Sequence, residues 1–333
     1  MIDKNNRYRL LKVKEILEKE TDEEHGLSYQ EIADKLAKEF GYECKIDKKA
    51  IMRDIEALRD FGLDIIDGES KYNKKFFKHL DKKFDYCELK MLIDVVSAAK
   101  SIPQKETQKL IDKISSLTSC HNEKCLKEQL CLDKSVKYED KGVKFIYKIN
   151  NISQAVTENK MISFCYGRYD FNKKFKISEV CIIFKPYNLI WDNGFYYVIG
   201  ERDGFGGLSN YRVDRMDNVD VLKTKFKAYK TDISEYVSKN INMFPGDIKP
   251  IKIKLKKDEK LLNVVYDRFG IDNVKVLEIK NNYIILRTYS AITKGLLYWI
   301  LSLGANVKVL SPEILVEMVI DTIEKLSNSY KNS

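Results

Sequence analysis

Apolar residues recur at helical spacing between Arg7 and Lys19, where Leu10, Leu11, Val13, Ile16 and Leu17 form one stripe. A charged loop, Thr21 to Gly26, ends that helix. Ser28 followed by Glu31 reads as a capping box for a second helix, which buries Ile32, Leu36 and Phe40 and stops at Gly41. Asp47 is placed to cap a third helix with Ile51, Ile55 and Leu58 on its inner face, closed by Phe61-Gly62-Leu63. Asp64 to Phe77 then reads as two short β runs turning at Asp67-Gly68. Three helices and a hairpin within residues 1–80 is the order of a winged helix-turn-helix.

Residues 81–145 return to helical patterns and read as a connector. Leu89, Leu92, Ile93, Val96 and Ala99 form a stripe that Pro103 ends; Leu110, Ile111, Ile114 and Leu117 form another, and a short helix runs near Leu126 and Leu130. After a helix from Ile149 to Asn159, strand patterns dominate residues 146–230: Met161–Tyr166, Lys176–Ile183, Tyr187–Trp191, Phe195–Ile199, Asn210–Met216 and Val219–Leu222. Turn signals at Asp192-Asn193-Gly194 and from Gly204 to Gly207 separate them, which predicts a small barrel. The 245–330 region reads β-α-β-β-α-β with one further helix, the order of a ferredoxin-like domain. The fold class expected is α+β and multidomain.

Length and composition suit two or three soluble domains, and no apolar run is long enough to cross a bilayer, so a cytoplasmic location is expected. The net charge of +9 favours polyanionic partners, although residues 1–83 carry 19 basic and 19 acidic residues. Within them the basic residues cluster, at Lys45, Lys48, Lys49 and Arg53 and again at Lys71, Lys74, Lys75, Lys78, Lys82 and Lys83. Seven scattered cysteines fit reduced thiols better than a disulfide framework. His121 with Cys120, Cys125 and Cys131 lacks the paired spacing of a structural zinc site, so no metal or other cofactor is expected.

With the element order set, the chain resembles the WYL-domain transcription regulators of bacteria, which join a winged helix-turn-helix to an Sm-like barrel, the WYL domain, and a C-terminal extension. The third helix, from Asp47 to Leu58, resembles that family's recognition helix, including the run Arg53-Asp54-Ile55-Glu56-Ala57-Leu58. The Trp-Tyr-Leu motif falls on Tyr196-Tyr197-Val198, which keeps the central tyrosine. A later Phe-Arg-Leu/Val-Asp-Arg-Ile/Met segment falls on Tyr211-Arg212-Val213-Asp214-Arg215-Met216, with Asn210 where a histidine is usual. Lys185-Pro186-Tyr187-Asn188-Leu189 resembles another barrel strand, and Trp299 to Pro312 resembles the extension. The resemblance implies a homodimer that binds an operator in double-stranded DNA and a nucleotide or single-stranded oligonucleotide effector.

Lys48, Lys49, Met52 and Arg53 recur on one side of the third helix, where cations reach phosphates or guanine edges and a methionine reaches a thymine methyl. Lys71, Lys74 and Lys75 suit a wing on the phosphate backbone; a solvated basic linker is the alternative. For the effector, Tyr166, Arg168, Lys185, Tyr196, Tyr197, Arg202, Tyr211, Arg212, Asp214 and Arg215 offer stacking faces and guanidinium forks. On a continuous strand Arg212 and Asp214 share one face and Tyr211, Val213 and Arg215 the other; alternation alone leaves open which meets the ligand. Phosphate-loop, nucleophile-elbow and zincin motifs are missing, and His25, His79 and His121 all lie outside the barrel, so no enzyme is expected. The other readings are a single-stranded nucleic-acid or RNA-binding module, or an accessory protein of a nucleic-acid-processing system.

Overall fold

A computed structural model of the chain describes residues 2–41, 46–69, 75–130, 144–227, 236, 239–241, 243–244 and 246–331. It is a mixed α and β chain in two units, Met1–Glu139 and Asp140–Ser333. Among the described residues no helix is long and apolar enough to cross a membrane.

The first unit opens with α1 (Ile2–Glu20), β1 (Leu27–Ser28), α2 (Tyr29–Phe40) and α3 (Lys48–Asp60), followed by β2 (Ile65–Glu69) and β3 (Lys75–His79). The stripes meet in one core of Val13, Leu17, Ile32, Leu36, Ile51, Ile55, Leu58 and Phe77. The Ser28–Glu31 capping box is formed. Asp47 stands at the N-cap of α3, but its side chain makes no capping hydrogen bond. The turn expected at Asp67-Gly68 is not there: both residues lie inside β2, opposite Phe77 and Phe76 of β3. Ile65 and Phe77 are drawn into the core, and their burial carries the strand through the glycine. Beyond the hairpin, α4 (Tyr86–Ala98), α5 (Gln104–Ser115) and α6 (Cys120–Glu128) pack through Leu89, Ile93, Ile111 and Leu126. Leu92 of the expected stripe faces solvent. The Thr21–Gly26 loop is less solvated than its charge implied, because Asp22 is buried and accepts hydrogen bonds from the backbone N–H groups of Glu24 and His25 and from the Ser119 hydroxyl.

The second unit begins with α7 (Lys144–Glu158) and then β4 (Lys160–Tyr169), β5 (Phe175–Asp192), β6 (Phe195–Arg202), β7 (Leu208–Arg212) and β8 (Met216–Lys225). The two strands expected between Lys176 and Trp191 are one, β5. Sheet order is β7-β6-β5-β4-β8, so β7 and β8 lie on opposite edges although only Val213–Arg215 separates them. Four strand spacings of a flat sheet cover about 19 Å, whereas four residues span at most about 14 Å. The sheet therefore curls until its edges meet. Gly200 fits the close approach of β5 and β6, because a Cβ there would lie 2.0 Å from the Lys185 carbonyl oxygen.

Beyond the curled sheet run β9 (Ile248–Lys256), α8 (Glu259–Phe269), β10 (Lys275–Ile279), β11 (Tyr283–Ala291), α9 (Lys294–Ser302), β12 (Val307–Ser311) and α10 (Glu313–Lys331). The strands form an antiparallel sheet in the order β10-β11-β9-β12. All three helices pack on one face, where Val265, Phe269, Leu296, Ile300 and Leu315 meet Ile251, Ile253, Leu255, Ile284, Leu286 and Val309.

Candidate functional site

The β4–β5 hairpin is fixed by Asp170, whose Oδ1 accepts the N–H groups of Asn172 and Lys174, both at 2.9 Å. That turn sets a register in which Arg168 faces Lys176 directly across the strands. Beside them, Tyr166 of β4, Tyr211 of β7 and Arg202 at the end of β6 complete a cleft of about 410 Å³. Its floor is aromatic. The Tyr211 ring sits edge-on to Tyr166 at 5.1 Å, Phe164 at 5.2 Å and Phe184 at 5.3 Å, geometry that aromatic quadrupoles favour. Tyr166 is pinned because its hydroxyl oxygen accepts the Arg212 N–H at 3.3 Å. Burial pushes its phenol above the ordinary value, against the smaller opposing effects of that hydrogen bond and the Arg215 charge.

Three cations edge this floor. Arg202 lies over the Phe205 ring at 4.1 Å, and Lys176 reaches Asp170 at 3.2 Å. Arg168 is exposed and has no ion-pair partner among the described residues. Like charges directly opposite on a sheet repel, and Asp170 is one carboxylate against Arg168, Lys176 and Arg202. The cleft thus offers net positive charge beside two phenol rings, which suits a phosphorylated or carboxylated ligand with a flat ring.

The other residues expected at the ligand stand elsewhere. The chain leaves β7 at Arg212 and makes a 3-10 turn over Val213–Arg215, so strand alternation fails beyond Arg212. Asp214 turns inward, 2% exposed, and takes the Arg212 guanidinium as a fork at 3.1 and 2.7 Å. The same guanidinium lies 3.4 Å from the Phe195 ring centre, and Tyr197 stands directly across the sheet from Arg212. Burial disfavours the charge on Arg212, but the Asp214 carboxylate outweighs it and holds the guanidinium protonated. Tyr197 packs with Ile199, Tyr236 and Met243, whereas Tyr196 packs between Trp191 and Phe145. Lys185 pairs with Glu201 at 3.5 Å. Asn210 donates to the Tyr236 hydroxyl and the Met243 carbonyl, tying β7 to the segment that follows the curled sheet. Of the ten residues, the cleft gathers Tyr166, Arg168, Arg202 and Tyr211. It adds Lys176 and, from the same strand, Ile177, Ser178, Val180 and Ile182, which the sequence reading did not single out, while Phe164 and Phe184 lie buried behind Tyr211; pairing the strands around the Asp170 turn would have found Lys176. Cys165 and Cys181 face each other across β4 and β5 with Cα atoms 4.4 Å apart, a close pair of cysteines that the sequence reading did not single out, whereas Cys87, Cys120 and Cys125 are free thiols.

On α3 the exposed side carries Lys48, Lys49 and Arg53. Lys48 rests over the Tyr29 ring at 4.4 Å, and Arg53 folds back so that its Nε donates to the Lys49 carbonyl. Met52 does not join them, because it packs half-buried against the core. Asp54 is buried against Arg9 of α1, with Nε to Oδ2 at 2.6 Å. Lys71 and Lys74 lie outside the described residues. Lys75 pairs with Asp67 at 3.6 Å, Lys78 donates to the Glu23 carbonyl and Lys82 to the Glu18 carbonyl, so these three do not form one free basic stripe.

A family model described as WYL domain matches residues 148–221, and one described as WCX domain matches residues 249–327. Sixteen chains of solved structures match. Proteasome accessory factor B/C (PafBC) of Arthrobacter aurescens is 15% identical with a TM-score of 0.28, over 95% of this chain and 46% of that one. The present chain thus spans less than half that protein's length. A CRISPR Cas-related protein is 16% identical with a TM-score of 0.35, over 76% of this chain and 75% of that one. Likeness at that level is silent on function. No curated protein matches. The chain carries a WYL domain over residues 148–221, followed by a WCX domain over residues 249–327.

Proposed function

We propose that the protein is a homodimeric, cytoplasmic transcription regulator that binds double-stranded DNA and whose WYL domain senses a nucleotide or a short single-stranded nucleic acid. One observation carries the sensing role: Arg168, Lys176 and Arg202 share a cleft with Tyr166 and Tyr211, cations for phosphates beside rings for a base. Supporting the DNA-binding role, three helices and a hairpin share one core, and the third helix presents Lys49 and Arg53 to solvent, the order of a winged helix-turn-helix. The curled sheet acts as an Sm-like barrel and the C-terminal sheet as a ferredoxin-like extension. The regulator is not an enzyme and needs no cofactor. Effector binding changes operator affinity only by the difference between its affinities for the two arrangements of the dimer.

Two measurements test this. Footprinting with the full chain on its own upstream region should protect a defined duplex site; a uniform, unprotected ladder overturns the regulator reading. Calorimetry with short oligonucleotides should show binding that Arg168→Ala with Arg202→Ala weakens about tenfold or more, at roughly 1.4 kcal/mol per factor of ten. Affinity for the duplex without effector should stay the same. Oligonucleotide affinity unchanged in that variant would place the effector elsewhere.

A further inference from the structure

We propose that the face of the WCX sheet turned away from its helices is a second nucleic-acid surface, a platform for a single strand, separate from the WYL cleft. In β9, Ile251, Ile253 and Leu255 point to the helices, which places Lys252, Lys254 and Lys256 on the opposite face. In β11, Ile284 and Leu286 point inward, leaving Tyr283, Ile285, Arg287 and Tyr289 outward. Register then brings the cations together. Arg287 stands between Lys275 of β10 and Lys252 of β9, and Lys254 stands opposite Lys308 of β12. Six cations on adjoining strands face a single carboxylate among the described residues, Glu278, which is engaged by Lys280 at 3.0 Å. A sheet gains nothing from like charges set side by side, so the arrangement asks for a polyanion.

The planar groups decide which polyanion. Tyr283 carries Lys254 above its ring at 3.9 Å, Tyr289 is 47% exposed with Lys239 over its ring at 5.4 Å, and the Arg287 Nε is buried without a hydrogen-bond partner among the described residues. Alternate residues on a strand are about 6.8 Å apart, so Arg287 and Tyr289 can take neighbouring bases while the lysine rows take the backbone. An acidic peptide would use the lysines and leave the rings idle. A duplex hides its bases from a flat sheet. A single strand uses both sets.

The test uses the full chain and a fluorescein-labelled twenty-residue oligothymidylate, read by anisotropy over a range of salt. Arg168→Ala with Arg202→Ala serves as background, so that failure of the WYL cleft and failure of this surface are told apart. Binding should persist in that background. Adding Lys252→Glu with Lys308→Glu should weaken it about tenfold or more and flatten the log–log salt slope by about 1.4, for two phosphates lost. Tyr289→Ala should weaken oligothymidylate about tenfold and leave heparin, a polyanion without bases, unaffected. With otherwise unaltered protein, 4-thiothymidine crosslinks should map to the peptide holding Tyr283 to Tyr289. Unchanged affinity and slope in the charge-reversed protein, equal effects of Tyr289→Ala on both polyanions, or crosslinks confined to the WYL cleft would each overturn the proposal.

Discussion

Asp214 is almost sealed from water and, among the described residues, has one ion-pair partner, Arg212. Removing one partner of a buried pair costs more than the pair contributes, because the other charge stays behind. Asp214→Ala should therefore lower stability by about 3 kcal/mol, read as a shift in the urea midpoint at unchanged m-value. A shift under about 1 kcal/mol would mean that solvent already reaches Arg212. The pairing was legible as a short Arg-x-Asp spacing; the inward turn was not, since a 3-10 step leaves no periodic mark. His79 gives a second test at this scale. Burial, with Lys82 nearby, holds its imidazole below the ordinary 6.5, against the smaller pull of Glu18 and Asp81. A base depressed in the folded state contributes stability above pH 6.5 that is lost as pH falls through the folded value. The first unit should lose stability as the pH falls below 6.5, and His79→Gln should flatten the loss; equal slopes in both proteins would show the ring is not buried as a neutral group.

Helices were easier to read than strands, and for a physical reason. α2 carries a terminal signal, Ser28 with Glu31, and a stripe that only a 3.6-residue period satisfies. Ser28→Ala should cost about 1 kcal/mol in the thermal or denaturant transition of the first unit. Strands lack such ends. The glycine inside β2 resembled a turn, and the gap left between Ile183 and Tyr187 falls inside a continuous β5, whose pairing with β6 shifts register between Pro186 and Asn188. The inner face of α3 was legible from Ile51, Ile55 and Leu58, but Met52 sits at the stripe's edge, where packing rather than spacing decides. Lys49 and Arg53 remain on the exposed side. Alanine at both should weaken operator binding and reduce the log–log salt slope by about 1.8, for two phosphate contacts to a duplex. The same slope in a folded double variant would remove α3 from the interface.

Across the whole molecule, the broad order of helical and strand-rich stretches was legible from changes of period, from 3.6 to 2 and back. The cleft was only partly so: its residues come from β4, β5, β6 and β7, and a set split over four strands has no signature until register is known. The proposed dimer should appear in sedimentation as twice the chain mass; a chain that stays single at micromolar concentration would need another way to space two recognition helices. The facing pair Arg168 and Lys176 has a bearing beyond recognition. A fold that keeps two cations shoulder to shoulder is more comfortable occupied than empty. An anion lodged between them should lift the melting temperature, by about 2.7 kcal/mol of extra stability at a hundredfold excess over its dissociation constant. Arg168→Ala should melt higher than the parent when both are bare, and lower when both are saturated, so that heat alone reports whether the cleft is filled.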